Sequence, residues 1–157
     1  MQISIEEIKT ETGLHESLSV VVQAFATVSE QFGLTRDNCP SNSSFMTLKD
    51  MESLSGRSKV MFGLYEENRQ VGFVALEQPK GNVWYIEKLA ILPQCRGKGY
   101  GRMLMDRAFA YTGEQGGTSV SIGIIAENAS LKKWYEDYGF IATGTKQFDH
   151  LPFTVCF

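Results

Sequence analysis

Three glycines alternate with other residues in the short segment Arg96-Gly97-Lys98-Gly99-Tyr100-Gly101, which could bind an anion through its backbone. The segment follows an apolar run that predicts a strand ending near Ile91, and it precedes a helical pattern. Glycine lets the backbone come close to a ligand, and the unpaired amides and the dipole of a helix N-terminus favour negative charge. Arg96 and Lys98 add positive charge, so the segment is predicted to bind the pyrophosphate of a coenzyme.

The spacing of these glycines excludes two common phosphate-binding motifs. The dinucleotide fingerprint GxGxxG requires a third glycine at position 102, where this chain has arginine. The P-loop requires a Gly-Lys-Ser/Thr sequence after four spacer residues, and this segment contains none. A different kind of phosphate-binding turn is therefore indicated.

A second segment with chemically capable side chains covers residues 128–140. Asn128 is expected to cap a short helix, and Gly139 is placed to end it. The apolar face of this helix is formed by four residues at helical spacing: Leu131, Trp134, Tyr135 and Tyr138. Because Tyr135 lies on this apolar face, a place in the core is one interpretation of it.

The two segments together resemble the GNAT superfamily of acyl-coenzyme A N-acyltransferases. Residues 96–101 match its Arg/Gln-x-x-Gly-x-Gly/Ala motif, and the preceding Leu89-Ala90-Ile91-Leu92-Pro93 is also similar. In residues 128–140 the asparagine, the tyrosine four residues before the glycine, and the Gly-Phe pair hold family positions. Leu131 departs from the pattern, since many members carry a small residue there. The resemblance is sharp over residues 83–140 and looser elsewhere.

The resemblance implies that acetyl-CoA is the acyl donor and an amine the acceptor, with no metal. A backbone amide of residues 89–91 would bind the oxyanion, where the fourth strand separates from its neighbour. The residues expected to contact the coenzyme are Leu89, Ala90, Ile91, Arg96, Gly97, Lys98, Gly99, Tyr100, Gly101, Arg102 and Asn128. The acceptor would lie beneath the connection 34–58, whose Cys39, Asn42 and Ser43 are candidate contacts, although loop polarity explains these residues equally well.

Transfer to an amine needs both a proton acceptor and a proton donor. An alkyl ammonium has a pKa of about 10, so most of the acceptor is protonated at neutral pH and must lose a proton before it attacks. The departing thiolate benefits from a proton in turn. The resemblance assigns the donor role to Tyr135, with a core tyrosine as the alternative.

Glu87 is the leading candidate for the proton acceptor, because it interrupts an apolar strand on the face that it shares with Tyr85, Leu89 and Ile91. A carboxylate at the border of a cleft could take the proton, and partial burial is expected to raise its pKa toward a useful value. An ion pair with a neighbouring basic residue is the alternative role of Glu87. A water chain, or His150 in the turn before the last strand, could serve as base instead.

Hydrophobic periodicity and turn residues predict the elements that would position these side chains. The predicted helices cover residues 14–32, 47–54, 99–113 and 129–138, and the predicted strands cover 2–9, 60–65, 70–76, 83–91, 118–125, 140–146 and 153–157, with 118–125 buried. The order of elements predicts one α+β domain over residues 1–157, resembling the GNAT fold. Its sheet would be mixed and mainly antiparallel, with about six to seven strands flanked by about four helices.

The composition argues against several other classes of function. A net charge of -3 and a pI near 5.4 leave no broad basic surface for nucleic acid. The N-terminus is acidic where a signal peptide would be basic, and no apolar run approaches the ~20 residues that span a bilayer, so a cytoplasmic location without membrane contact is expected. Three cysteines without a CxxC pair fit a reducing compartment and no structural zinc site.

The predicted function is transfer of an acetyl group from acetyl-CoA to a primary amine of a small molecule or peptide, by direct attack in a ternary complex. A noncatalytic acyl-CoA-binding sensor or interaction module is the alternative, and an O-acyltransferase or a longer acyl donor is a third hypothesis. Domains of this family frequently pair, so a homodimer that uses the apolar residues 151–157 is open, although an internal strand explains that tail equally well.

Overall fold

The computed structural model describes residues 2–157, which form four α-helices and eight β-strands. The helices are α1 (Glu11–Phe32), α2 (Leu48–Arg57), α3 (Tyr100–Glu114) and α4 (Ala129–Tyr138). The strands are β1 (Ile3–Glu7), β2 (Ser58–Glu66), β3 (Arg69–Glu77), β4 (Val83–Ile91), β5 (Ser119–Ser121), β6 (Ile124–Ile125), β7 (Thr145–Gln147) and β8 (Thr154–Cys156). Two short 3-10 helices, Ser43–Phe45 and Pro93–Cys95, lie in the connections.

The strands form two sheets rather than one. β1 to β5 make a five-stranded sheet in chain order, antiparallel except for the parallel pair β4 and β5. β6, β8 and β7 make a three-stranded antiparallel sheet with β8 in the middle. The predicted class, a mixed and mainly antiparallel α+β fold with four helices, is confirmed, and the strands are divided between two sheets instead of one.

Capping residues fix the ends of α1 and α2. Thr10 Oγ1 accepts a hydrogen bond of 3.0 Å from the Gly13 amide at the start of α1, and Gly33 ends this helix with a φ of 62°, as its position predicted. Thr47 and Asp50 form a reciprocal capping box at the start of α2. No helix within residues 2–157 combines the length and apolarity that crossing a membrane requires.

The hydrophobic core is centred on β2 and β3, whose side chains are buried on both faces of the sheet. Leu64 of β2 and Phe73 of β3 are fully buried and belong to one cluster with Val21 of α1 and Leu104 of α3. Each such side chain contributes about 1.5–3 kcal/mol of hydrophobic free energy. α1 and α3 are thus fixed relative to the sheet, and with them the turn that precedes α3.

β4 carries two irregularities that open the sheet at one end. Ala75 pairs with Lys88 but Leu76 pairs with Ile86, so Glu87 is one extra residue in β4 and forms a β-bulge. On its other side β4 pairs with β5 only from Val83 to Tyr85, and the two strands separate beyond that point. The predicted separation of the fourth strand from its neighbour is confirmed.

The predicted continuous strand over residues 118–125 is interrupted at Ile122 and Gly123. Its first part, β5, pairs with β4, whereas its second part, β6, pairs with β8 of the other sheet. Ser119 and Ser121 are exposed, so β5 is not a buried strand. A Cβ at position 123 would lie 2.7 Å from the Tyr85 hydroxyl, so glycine allows the close approach at which the chain changes sheets. The two last strands are also shorter than predicted.

Candidate active site

One cavity of about 720 Å³ collects most of the residues that the sequence singled out. Its wall is formed by the second half of α1, residues 39–43, the splayed part of β4, the glycine turn, residues 122–125, α4 as far as Tyr135, and residues 151–155. These segments are distant in the chain, and the separation of β4 from β5 leaves the space between them. The volume lies within the range of about 300–1,000 Å³ that is usual for small-molecule sites.

The glycine turn presents its backbone to this cavity. Gly97 and Gly99 have φ values of 80° and 82°, in the left-handed region that favours glycine. α3 begins at Tyr100 with no side chain capping it, and Met103 is the first amide bonded back to the turn, at Gly99 O. The preceding amides lack an intrahelical acceptor, as at any helix start. The turn and the helix dipole therefore favour an anion at this position, and binding of a pyrophosphate there stays a prediction.

The two basic side chains of the turn are held by other parts of the protein. The Arg96 guanidinium donates to Ala24 O at 2.9 Å and to Thr27 Oγ1 at 3.0 Å, so it ties the turn to α1. Lys98 lies outside the cavity wall, and its Nζ pairs with Glu66 Oε2 at 3.2 Å. The Tyr100 hydroxyl also donates a hydrogen bond to this Glu66 oxygen. An anion at this turn would therefore be bound mainly by backbone amides rather than by these two charges.

The remaining residues expected to contact the coenzyme surround the turn. Arg102 lines the cavity, with its guanidinium carbon 5.2 Å from the centre of the Tyr138 ring. Asn128 is buried and caps α4, since its Oδ1 accepts a hydrogen bond of 3.2 Å from the Leu131 amide. Leu89, Ala90 and Ile91 lie on the splayed part of β4. All of these side chains or backbones face one space, and their contact with a coenzyme stays a prediction.

Tyr135 has the core position that was its alternative interpretation, and its role as proton donor stays a prediction. Its ring belongs to the core cluster and packs edge-on against Trp134 and Phe140, with centroids 5.0 Å and 5.5 Å away. It also lines the cavity. Burial raises the pKa of the Tyr135 phenol far above its ordinary value, so the group stays protonated near neutral pH.

Glu87 lines the cavity and is ion-paired, which was the alternative role expected for it. Its Oε1 accepts a hydrogen bond of 3.0 Å from Arg57 Nη2, and Lys88 Nζ lies 3.9 Å away. Burial raises the pKa of Glu87, but hydrogen bonds from Glu77 and Arg57 outweigh burial and hold it below its ordinary value. The expectation that burial would move this pKa upward is therefore wrong, because it left out the partners.

Glu77, at the end of β3, is a residue of this site that the sequence did not reveal. Its hydrogen bond with Glu87, then burial and the repulsion between the two carboxylates, raise the pKa of Glu77 to about 7. The two carboxyl groups thus share one proton near neutrality and titrate as a pair. The only signal in the sequence was that Glu77 ends an apolar strand adjoining the one that contains Glu87.

Glu77→Gln is expected to change how the stability of the fold depends on pH. Because folding raises the pKa of Glu77, this carboxyl stabilises the fold below about pH 4.5, and the contribution is lost as the pH rises through about 7. Glutamine does not titrate. The free energy of unfolding of the variant, relative to wild type, should therefore rise by about 1 kcal/mol between about pH 5 and pH 8, allowing for solvent screening of a partly exposed group.

Urea unfolding at the two pH values measures this difference. Glu52→Gln, at an exposed position on α2, is the matched control and should show no such change. A parallel pH dependence in both variants would contradict the shared proton.

The remaining candidate residues from the sequence differ in their position relative to the cavity. His150 is exposed in the turn before β8 and lies outside the cavity wall. Asn42 lines the cavity, but its Oδ1 accepts hydrogen bonds from Ser29 and Ser44 and so organises its own loop. Cys39 and Ser43 are buried in the same wall. Within residues 2–157, no group of three or more His, Cys, Asp or Glu side chains could hold a metal ion.

Comparisons with known proteins place this cavity in a family context. The sequence profile of the Acetyltransferase (GNAT) family matches residues 26–140. A search of curated proteins gave no match. One similar solved structure is the ribosomal-protein-S18-alanine N-acetyltransferase from Escherichia coli, with a TM-score of 0.78 and 16% identity over 99% of this chain and 90% of that one. A second is the paia N-acetyltransferase from Thermoplasma acidophilum in complex with coenzyme A, with a TM-score of 0.71 and 17% identity over 99% of this chain and 98% of that one. A third is Ard1 from Thermoplasma volcanium, with a TM-score of 0.74 and 20% identity over 100% of this chain and 97% of that one. At these identities the likeness shows a shared fold.

Proposed function

Since the chain belongs to the GNAT family of acetyltransferases, we propose that it transfers an acetyl group from acetyl-CoA to a primary amine of a small molecule or peptide, by direct attack in a ternary complex. One observation carries this proposal. The uncapped start of α3, the splayed part of β4 and Tyr135 meet in one cavity, which supports an anion site, a free strand edge and a proton donor acting together.

Several features of the cavity support a coenzyme A thioester as its ligand. The amides at the start of α3 would hold the pyrophosphate, and Gly97 and Gly99 leave open space where side chains would otherwise stand. Residues 89–91 would bind the thioester carbonyl through the strand edge that β5 leaves unpaired. The paia N-acetyltransferase of the same fold was solved with coenzyme A bound, which supports coenzyme A as the ligand.

Proton transfer would use groups that already line or adjoin the cavity. Glu87 would accept the proton of the substrate ammonium. Glu77, which is hydrogen-bonded to Glu87, would share that proton and exchange it with solvent. Tyr135 would donate its phenolic proton to the departing sulfur. The cavity wall combines residues from Ala24 to Val155, which supports treating residues 1–157 as one catalytic domain.

The decisive test incubates the protein with acetyl-CoA and a panel of primary amines. Release of the coenzyme thiol, together with a product heavier by one acetyl group, is the expected result. Coenzyme binding without thiol release for any amine would overturn the proposed enzyme and support the noncatalytic sensor.

Direct attack predicts that the two thiols in the cavity wall are dispensable. Cys39 and Cys95 are free, buried and face the cavity, so an acyl group could in principle pass through either. Cys39→Ala and Cys95→Ala should each keep kcat within about threefold of wild type, which corresponds to a change of under about 1 kcal/mol in the activation free energy. Initial rates are measured while the concentrations of acetyl-CoA and the amine are both varied. Double-reciprocal plots of these rates should give intersecting lines. Parallel lines, with activity lost in either variant, would show a covalent acyl-enzyme instead.

A further inference from the structure

Lys88 is the charged residue of the cavity wall that the proposed mechanism leaves without a role. Its side chain is 16% exposed, and its Nζ lies 3.9 Å from Glu87 Oε1. That separation is too long for a hydrogen bond. Burial has the largest effect on the pKa of this ammonium and lowers it, and no hydrogen bond contributes. A buried ammonium without a close acceptor is costly, which points to an anion as its missing partner.

The β-bulge explains why Glu87 and Lys88 both reach the cavity. Successive side chains of a regular strand point to opposite faces, so neighbours would normally be separated by the sheet. Here Glu87 is the extra residue of the bulge, and a bulge redirects the side chains beside it. A carboxylate and an ammonium are thereby presented to the same space.

The charges around Lys88 leave it short of a counter-ion. Glu87 is already hydrogen-bonded to Arg57 at 3.0 Å. Glu77 has a pKa of about 7, so it carries only part of a negative charge near neutrality. Two cations therefore face fewer than two full negative charges. Burial lowers the pKa of Lys88, and a bound anion would oppose that effect.

We propose that Lys88 binds the carboxylate of the acceptor, and that the acceptor is an α-amino acid. The proposal rests on the proposed function, because it places the reacting amine at Glu87. The two charges on the wall are 3.9 Å apart, close to the roughly 3 Å between the nitrogen and the carboxylate oxygens of an α-amino acid. A zwitterion laid against them puts its ammonium on Glu87 and its carboxylate on Lys88.

The rest of the wall indicates which amino acids to test first. Phe25 and Val28 of α1 and Leu151 and Phe153 before β8 give the cavity apolar sides. An apolar side chain on the acceptor would bury surface against them. Leucine and phenylalanine are therefore suitable probes.

The wild-type protein can decide the proposal without any variant. kcat/KM is measured for leucine, leucinamide and 3-methylbutylamine, and for phenylalanine, phenylalaninamide and phenethylamine. Within each set the free amino acid should exceed the amide and the decarboxylated amine by about 10-fold or more, the effect of one charge-assisted hydrogen bond. Equal values, or a preference for the amide, would overturn carboxylate binding and leave amine acetylation standing. No product from any of the six, if other amines also fail, would count against the proposed function itself.

Two substitutions separate carboxylate binding from a structural role of Lys88. Lys88→Met removes the charge and keeps the length, and should lower kcat/KM for leucine by roughly 10- to 100-fold, mainly through KM, with little change for leucinamide. Lys88→Arg keeps the charge and should recover most of the loss. Equal losses for leucine and leucinamide in Lys88→Met would assign Lys88 to the fold and overturn the proposal. If Lys88→Met fails to fold, the substrate sets above still decide it.

Discussion

Tyr135→Phe is expected to lower kcat by about 10²- to 10³-fold, the usual contribution of a positioned proton donor, while the Kd of coenzyme A stays within about twofold. The phenol is buried at the cavity wall, and burial raises its pKa, so it keeps its proton in the resting protein. Negative charge that develops on the departing sulfur of coenzyme A would be stabilised by a hydrogen bond or a proton from this phenol. Phenylalanine keeps the ring contacts with Trp134 and Phe140 and removes only the hydroxyl.

Tyr138→Phe is the matched control for this variant. Tyr138 lies one turn later on α4, and its hydroxyl donates to Asp106 at 2.6 Å rather than facing the cavity. This control should keep kcat near the wild-type value. Rapid-mixing rates and calorimetric titration with coenzyme A measure the two effects separately. Unchanged turnover in Tyr135→Phe would make Tyr135 a core tyrosine and leave the donor unassigned.

Gly99→Ala is expected to raise the Kd of coenzyme A by about 10- to 100-fold, or about 1.4–2.8 kcal/mol. Gly99 has a φ of 82°, and a residue with a Cβ is strained there by about 1–2 kcal/mol. Relief of that strain would turn the amides at the start of α3 away from their common direction. The added methyl group would also occupy the open space in front of the turn, where the pyrophosphate is proposed to lie.

Gly116→Ala separates backbone strain from loss of the anion site. Gly116 has the same φ of 82°, open space around its Cβ position, and a place outside the cavity wall. Both variants should lose about 1–2 kcal/mol of stability in urea unfolding. Only Gly99→Ala should lose affinity for coenzyme A in calorimetric titration. Wild-type affinity in both variants would contradict the assignment of the turn to the pyrophosphate.

The features that the sequence predicted are those that depend on neighbouring residues. Gly33 ends α1 and Asn128 caps α4 because helix ends need a left-handed residue or a side-chain acceptor at one particular position. The turn before α3 is specified in the same way, by glycines at the positions of positive φ. Periodicity likewise gave the hairpin of β2 and β3 and the helix α3.

The features that the sequence missed arise from pairings between distant segments. An apolar run at 118–125 does not reveal that its two halves pair with different sheets. The side chains that lower the pKa of Glu87 come from Arg57 and Glu77, and the bulge in β4 is what aims Glu87 toward them. Lys98 looked free for a ligand, but Glu66, at the far end of β2, holds it. The pairing register of the strands and the ion pairs between distant segments therefore determine the details of the site.

The division of the strands into two sheets has a consequence for how this protein can diverge. In the described chain, β6, β8 and β7 pair with no strand of the five-stranded sheet, yet Leu151, Phe153 and Val155 form one side of the cavity. Mutations in this hairpin can remodel that side while every hydrogen bond of the larger sheet, and the turn before α3, stays intact. Under the proposed function, a gene duplicate can thus acquire a new acceptor through changes in this hairpin and keep acetyl-CoA as its donor.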